Sequence, residues 1–201
     1  MKKTIFNIKK NIKFLLWKIG RRKSIKPPHK VKENTIKFYQ KKFKIDTLIE
    51  TGTYEGEMVY ALKGKFKQIF SIELNNILAE KAKRKFIRYK NIKIIQGSSD
   101  LVLPKILKTI SNPCLFWLDA HYSGGKTSKG IKETPILEEL KEIVKHSNKN
   151  LILIDDADNL GKGDYPPIKE LYNLIKKNFN MEIKNNIIRI IPKKGNLIKV
   201  I

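Results

Sequence analysis

The sequence predicts a doubly wound α/β domain with a mostly parallel sheet, and two observations carry that prediction. Short apolar runs alternate five times with helical patterns along the chain. The runs are continuously apolar, as expected for parallel strands that are covered on both faces. With 201 residues, 41% of them hydrophobic, the chain is long enough to bury the core of one such domain.

The first three strand–helix units follow one another from Asp46. "DTLIETG" is a strand that ends in a glycine turn, and a helical pattern continues from it to about Lys63. "QIFSIEL" at 68–74 is the second strand and precedes the helix "NNILAEKAKRKF". "IKIIQGSS" at 92–99 is the third strand, and its helix is predicted to end near Thr109.

The second half of the domain repeats the pattern and then changes it. "CLFWLDAH" at 114–121 is the fourth strand, and a helix begins at Pro135, a residue suited to a first helical turn. "NLILIDDAD" at 150–158 is the fifth strand, and a helix follows Pro167. The tail is predicted to form a C-terminal antiparallel strand pair around the "PKKG" turn at 192–195.

The net charge of +24 is concentrated at the amino end of the chain. Residues 1–44 hold 14 lysines, two arginines and one acid, Glu33, which gives +15. Such a segment attracts a polyanion or an anionic membrane surface. Arginine is the residue that phosphate and base readout favours, and there are only five arginines against 38 lysines. We therefore expect the partner not to be a nucleic acid.

The amino-terminal segment is predicted to be a basic amphipathic helix. Apolar residues recur at helical spacing through 5–19 and lysines flank them. This pattern predicts peripheral membrane contact through residues 1–23, with packing on the chain's own domain or on a second subunit of a homo-oligomer as the alternative. "KPPHK" at 26–30 is predicted to be a linker. The expected division is a basic helical extension and linker at 1–44 and one domain at 45–201.

The expected location is cytoplasmic, at the inner face of the membrane if the amino-terminal helix binds there. No stretch approaches the roughly 20 apolar residues of a membrane span. Lysines interrupt the first residues where a signal peptide would be apolar. The single cysteine, Cys114, can form no internal disulfide, which fits a reducing compartment.

The turn after the first strand favours S-adenosylmethionine as cofactor. Glu50, Gly52 and Gly56 stand in the spacing E-x-G-x-x-x-G, and Tyr54 occupies the position where a nicotinamide fingerprint needs glycine. Glycine lets the backbone approach a ligand closely, and an acid there can meet the positively charged amino group of the cofactor.

Two further strand ends extend the predicted cofactor site. Glu73 lies 21 residues after Gly52 and ends the second strand, where an acid can accept hydrogen bonds from both ribose hydroxyls. Ser98 and Ser99 follow the third strand, on the side expected for adenine, although serine also serves there as a helix cap. The predicted cofactor-binding residues are Glu50, Gly52, Thr53, Tyr54, Gly56, Glu73, Ser98, Ser99 and Asp119.

Three aspartates predict a divalent metal. Asp119 ends the fourth strand, and Asp155 and Asp156 end the fifth, so the three carboxylates converge if these strands are neighbours. Unpaired, they would raise one another's pKa, and Mg²⁺ would relieve the repulsion through oxygen ligands. The alternative is that these acids cap loops or pair with nearby lysines. His121 stands two residues after Asp119 and is the predicted base that takes a proton from a hydroxyl.

With these motifs in place, the chain resembles a family of class I S-adenosylmethionine-dependent methyltransferases, which have a Rossmann-like fold. Members occur among bacterial surface-polysaccharide and sugar-modifying enzymes. The resemblance covers about Lys44 to Ile175 and rests on "ETGTYEG", "SIEL", "LFWLDAHYSGG" followed by "TPILEEL", and "ILIDDAD". The chain also looks like the metal-dependent macrolide-sugar O-methyltransferases and, more distantly, the catechol type.

The resemblance implies roles for the acids and the histidine. In those families the acids matching Asp119, Asp155 and Asp156 hold Mg²⁺, and the histidine matching His121 is the proposed base. Relatives often have aspartate where this chain has Ser98. The implied function is S-adenosylmethionine-dependent O-methyl transfer to a sugar hydroxyl of a glycan or glycoconjugate, with Asp119 and His121 as catalytic residues. The alternatives are an RNA methyltransferase that uses the basic arm, and a non-catalytic membrane-associated or adaptor protein.

Overall fold

The computed structural model describes residues 12–17, 26–120 and 134–194. Its strands are β1 (Thr47–Thr51), β2 (Gln68–Glu73), β3 (Ile92–Gln96), β4 (Cys114–Leu118), β5 (Leu151–Ile154), β6 (Phe179–Lys184) and β7 (Ile187–Pro192). Its helices are α1 (His29–Phe43), α2 (Glu57–Leu62), α3 (Asn76–Phe86), α4 (Ser99–Leu107), α5 (Ile136–His146) and α6 (Ile168–Ile175), and a 3₁₀ turn (Ala157–Asn159) follows β5.

The strands form one seven-stranded sheet in the order β3-β2-β1-β4-β5-β7-β6. Strands β1 to β5 pair in parallel, and β7 runs antiparallel to both of its neighbours. The order of strands reverses between β1 and β4, and in sheets of this kind ligands bind beyond the carboxyl ends of the strands at that point. The predicted fold class, with its C-terminal antiparallel strand pair, is confirmed.

Apolar side chains cover the central strands on both faces. Every residue of β1, β4 and β5 is buried. Because successive side chains of a strand point to opposite faces, neighbours in β1 enter different cores: Ile49 joins one apolar cluster and Leu48 the other. Cys114 belongs to the first cluster with no exposed surface. This double coverage explains why the strands are apolar at consecutive positions.

Helix α1 begins where the sequence predicted a linker and packs against the domain. Ile36, Tyr39 and Phe43 are buried in the same apolar cluster as Leu48 of β1. Six lysines of 29–44 obscure this apolar side of the helix in the sequence. Helix α1 thus contributes apolar side chains to the core, and the division into 1–44 and 45–201 stays a prediction.

Residues 12–17 are also helical, with Ile12 and Leu15 largely exposed. The rest of the amphipathic segment predicted at 5–19 lies outside the described residues. Within the described ranges, no helix has both the length and the apolar character that crossing a bilayer requires.

The turn of the C-terminal strand pair lies at Asn185 and Asn186, and its prediction at 192–195 was wrong. Strand β7 continues to Pro192, so it occupies part of the predicted turn. Both asparagines have left-handed backbone, with φ of 56° and 58°. A two-residue hairpin turn of type I′ has positive φ at both positions, and asparagine tolerates it better than most residues with side chains.

Candidate active site

The turn after β1 is pressed against the end of β4. The Gly52 N–H donates to the carbonyl of Ile72 in β2 at 2.9 Å, and the backbone of Gly52 is left-handed, with φ of +86°. A Cβ atom at this position would lie 2.5 Å from the carbonyl oxygen of Asp119. Only glycine fits this approach, which brings the ends of β1 and β4 together at the switch point.

Glu73, at the end of β2, is held by backbone amides. Its Oε2 accepts the Tyr54 N–H at 2.7 Å, and its Oε1 accepts the Asn75 N–H at 2.9 Å. The residue is 6% exposed, and each carboxylate oxygen has a second lone pair. Glu73 therefore fits a ribose whose two hydroxyls donate to an already oriented carboxylate.

Glu50 is buried inside the turn. The Ser71 hydroxyl donates to Glu50 Oε2, and the hydroxyls of Ser71 and Thr53 lie 2.5 Å apart. Burial raises the pKa of Glu50 to about 8; Asp119 and Glu73 add to the rise, and the Ser71 hydrogen bond opposes it. Glu50 is thus mainly protonated at pH 7. It fits a cationic ligand group, because a nearby positive charge would favour release of that proton.

The remaining predicted cofactor residues have structural roles in the described state. Gly56 precedes α2 with left-handed backbone, and a Cβ there would lie 2.7 Å from the Phe86 ring. The Ser98 hydroxyl donates to Asp100, and Ser99 is the buried first residue of α4. Packing against α3 is therefore sufficient to require glycine at 56. Tyr54, by contrast, is 46% exposed at the mouth of the turn.

The structure brings the three predicted acids together. Asp119 directly follows β4, and Asp155 and Asp156 directly follow β5, whose residue Ile154 pairs with Leu118. Asp155 is 4% exposed and Asp156 is 8% exposed. Burial and the neighbouring Asp119 raise the pKa of Asp155, and a lysine beside it opposes that rise. The convergence follows from β4 and β5 being adjacent parallel strands.

Two lysines of the amino-terminal region occupy the acid cluster. Lys32 Nζ, on α1, donates to Asp155 Oδ2, and Lys26 Nζ donates to Asp156 Oδ2 at 2.9 Å. No group of three or more acidic, histidine or cysteine side chains among the described residues has the arrangement of a metal site. The acids as arranged do not fit a divalent cation, because an ammonium group already lies against Asp155. The described residues therefore do not show the predicted Mg²⁺ site.

His121 lies outside the described residues, in the segment 121–133. Its predicted role as the base therefore stays a prediction.

A buried carboxylate and a tyrosine complete the cavity beside Asp119. Glu139 of α5 and Tyr165 line a small cavity together with Asp119 and Asp155. Glu139 is 1% exposed, and its Oε1 has no hydrogen-bond partner within the described part of the chain. Burial raises the pKa of Glu139 to about 7. The cavity thus carries buried oxygen acceptors beside the switch point.

Sequence reasoning missed Lys26, Lys32, Glu139 and Tyr165. A signal for Glu139 was present, because it lies on the apolar stripe of α5, between Ile136 and Leu140. A carboxylate on the buried face of a helix indicates a specific structural or functional role, because its burial is unfavourable. No local signal marks Lys32, since 123 positions separate it from Asp155.

The comparisons with known proteins identify the fold. The chain matches no protein-family model and no curated protein sequence. Among solved structures, it is similar to a methyltransferase from Podospora anserina bound to SAH, with 17% identity and a TM-score of 0.57 over 81% of this chain and 78% of the other.

The chain is also similar to two other solved structures of methyltransferases. An O-methyltransferase from Bacillus cereus in complex with SAH has 12% identity and a TM-score of 0.56 over 91% and 90% of the two chains. The N-methyltransferase NodS from Bradyrhizobium japonicum has 11% identity and a TM-score of 0.54 over 82% and 97%. The chain therefore has the Rossmann-like methyltransferase fold, which is shared by enzymes that methylate oxygen and nitrogen.

Proposed function

We propose that this chain is an S-adenosylmethionine-dependent methyltransferase that acts on a hydroxyl group of a sugar, in a glycan or glycoconjugate. The observation that carries the proposal is the meeting of three strand ends at the switch point of a methyltransferase fold. There the Gly52 turn touches Asp119, and Glu73 stands one strand away.

The cofactor would lie over the ends of β1, β2 and β3. S-adenosylmethionine, when bound, supplies a methyl group carried on a positively charged sulfur. Glu73 would orient its ribose, because two backbone amides already fix the carboxylate. Glu50 would face its amino group and lose a proton as that charge arrives. Such positioning of two reactants is the largest contribution that this site can make to the rate.

The acceptor would lie beyond Asp119, over the cavity that Glu139 and Asp155 line. Buried carboxyl oxygens accept hydrogen bonds from hydroxyl groups, of which a sugar offers several on adjacent carbons. His121, three residues after Leu118 of β4, is the proposed base that takes the proton of the methylated hydroxyl.

Two alternative functions can be distinguished from this one by experiment. An RNA methyltransferase would use the basic amino-terminal region as a phosphate contact. A membrane-associated adaptor would keep the fold without the cofactor. For the proposed enzyme, the basic region would hold the protein at the cytoplasmic face of a membrane, near a lipid-linked glycan, and a second subunit of a homo-oligomer is the other surface that it could contact.

Calorimetric titration with S-adenosylmethionine tests the proposal. We expect one saturable site in the wild type and roughly tenfold or greater weakening in Glu73→Gln, which loses a charge-assisted acceptor. Glu80→Gln is the matched control, because Glu80 is an exposed carboxylate on α3 that pairs with Lys83. Absence of any binding by the wild type would contradict the enzyme and favour the adaptor.

Methyl transfer to sugar acceptors is the second stage of the test. We expect labelled methyl groups to appear on a sugar, and His121→Ala to reduce turnover while cofactor binding is retained. Transfer to RNA instead, with binding that weakens steeply as salt rises, would show the alternative substrate. If turnover is unchanged in His121→Ala, another group takes the proton.

A further inference from the structure

The acid cluster at the ends of β4 and β5 needs a positive charge. Asp155 and Asp156 are almost completely buried, and Asp119 stands on the adjacent strand end. Asp155 Oδ1 is buried and has no hydrogen-bond partner among the described residues. Burying carboxylates without compensation is strongly unfavourable, so these acids either take up protons or gain a nearby cation.

Helix α1 brings that cation from within the chain. The Lys32 side chain is 20% exposed, and its ammonium group donates to Asp155 Oδ2. Its pKa is raised despite the opposing effect of burial, because the charges of Asp155, Asp119 and Asp156 all favour the ammonium form. Lys32 therefore interacts with all three acids. Lys26 is a weaker contributor, since its side chain is 56% exposed beside Asp156.

The position of Lys32 is fixed by packing. Val31 and Ile36, on the same helix, are buried, and Glu33 of α1 pairs with Lys30 and Lys37. The ammonium group is thus delivered by an element anchored in the core rather than by a free side chain on a loop. A pre-positioned charge loses little further freedom when it neutralises a buried acid.

We propose that Lys32 is the resident cation of the Asp119–Asp155–Asp156 cluster and that it excludes a divalent metal from this site. An ammonium group and a metal ion cannot share Asp155, because like charges a few ångströms apart repel strongly in a buried place. Removing the ammonium group leaves three clustered carboxylates, which are the ligands that Mg²⁺ and Mn²⁺ prefer. Loss of Lys32 therefore lets the three carboxylates rearrange around a divalent cation, which their present arrangement does not hold.

A consequence for catalysis rests on the proposed function. The fixed positive charge lies beside the strand ends where the acceptor hydroxyl would approach, so methyl transfer would proceed without added metal. The metal-binding experiment below does not depend on this consequence. Failure of methyl transfer and failure of the resident-cation proposal are therefore separate results.

Mn²⁺ binding by the full chain tests the proposal, with calorimetry and the paramagnetic resonance signal of free Mn²⁺ as readouts. We expect no saturable site in the wild type and one site in Lys32→Met, at least about 100-fold tighter than any binding by the wild type. The added site should disappear in the double variant K32M/D155N. Lys37→Met is the matched control, because it removes an ion pair of α1 that involves Glu33 and not the aspartates; it should behave as the wild type.

Two results would overturn the proposal. One is a saturable Mn²⁺ site in the wild type that Asp155→Asn abolishes, and this measurement needs no lysine variant to fold. The other is a folded Lys32→Met protein, judged by circular dichroism, that gains no site. Lys32→Arg provides a further check, since it keeps the positive charge and should bind no metal.

Discussion

Glu50 combines burial with a position facing the expected cofactor. Its pKa of about 8 means that the described state holds a neutral carboxyl group at pH 7. The sequence predicted only an acid at this position, and its neutral form follows from the structure because burial disfavours the carboxylate until a cation arrives. In the proposed function, release of the Glu50 proton would therefore link cofactor binding to pH.

We predict that the affinity for S-adenosylmethionine rises with pH up to about 8 and then levels off. Below that pH, binding must displace the proton from Glu50, so affinity increases by at most about tenfold for each pH unit. Calorimetry in buffers of different ionisation enthalpy should detect up to one released proton for each cofactor bound near pH 7. Glu50→Gln is the comparison variant, and an unchanged pH dependence in it would contradict the assignment.

Gly52 is the other residue whose identity is dictated by its surroundings. We predict that Gly52→Ala lowers the free energy of unfolding by about 1–3 kcal/mol, because a Cβ would meet the Asp119 carbonyl and strain a left-handed backbone. Urea unfolding measures this. Gly64→Ala is the control, since a Cβ there has no neighbour within 4 Å and should change stability little. Equal effects of the two substitutions would argue against the close approach of β1 and β4.

At the scale of elements, α1 has a double role, in the core and at the acid cluster. Its inner side joins the apolar cluster around Leu48, and its Lys32 reaches the end of β5. Helix packing of this kind depends on a few apolar positions among many charged ones. A segment that was predicted to belong to an extension and linker therefore joins the apolar core and carries a lysine that pairs with Asp155.

We predict that Ile36→Ala lowers the free energy of unfolding of the whole domain by about 2–5 kcal/mol, because a fully buried side chain leaves a cavity. Phe38→Ala on the same helix should cost less than about 1 kcal/mol, since Phe38 is 57% exposed. Denaturant unfolding of both variants compares them directly. If Ile36→Ala proved as mild as Phe38→Ala, α1 would be an appendage as the sequence suggested.

At the scale of the whole molecule, the dominant property is the charge of +24 over 201 residues. Most of the lysines that the structure describes are exposed, and mutual repulsion between like charges destabilises the compact state. Salt shortens the range of this repulsion, with a Debye length of about 30 Å at 0.01 M and about 8 Å at 0.15 M. The buried pair of Lys32 and Asp155 is screened much less than the surface charges.

We predict that the thermal midpoint rises by roughly 2–6 °C between 10 mM and 300 mM sodium chloride. Differential scanning calorimetry or circular dichroism measures it, and potassium chloride should give the same shift because screening depends on ionic strength. A midpoint that is flat or falls with salt would mean that exposed ion pairs, rather than repulsion, dominate the surface electrostatics.

The sequence by itself determined the fold class and the composition of the strand ends. Continuous apolar runs indicate strands that are buried on both faces of a sheet. The residues after β1, β2, β4 and β5 were identified as candidate site residues because parallel strands end at the same edge of the sheet. Gly52 and Glu73 were likewise recognisable from the local turn pattern. The turn of the hairpin was misplaced because "IIRIIP" continues as a strand and the two asparagines turn the chain before it.

Only the tertiary structure decided what neutralises the aspartates. Clustered carboxylates are stabilised by a nearby positive charge. The sequence alone does not distinguish whether a metal ion or an ammonium group supplies that charge. Lys32 is one lysine among 38, and nothing local distinguishes it from the others. The packing of α1 into the apolar cluster that contains Leu48 places Lys32 beside Asp155, because a long-range contact is set by the geometry of the whole core and not by the residues that flank it.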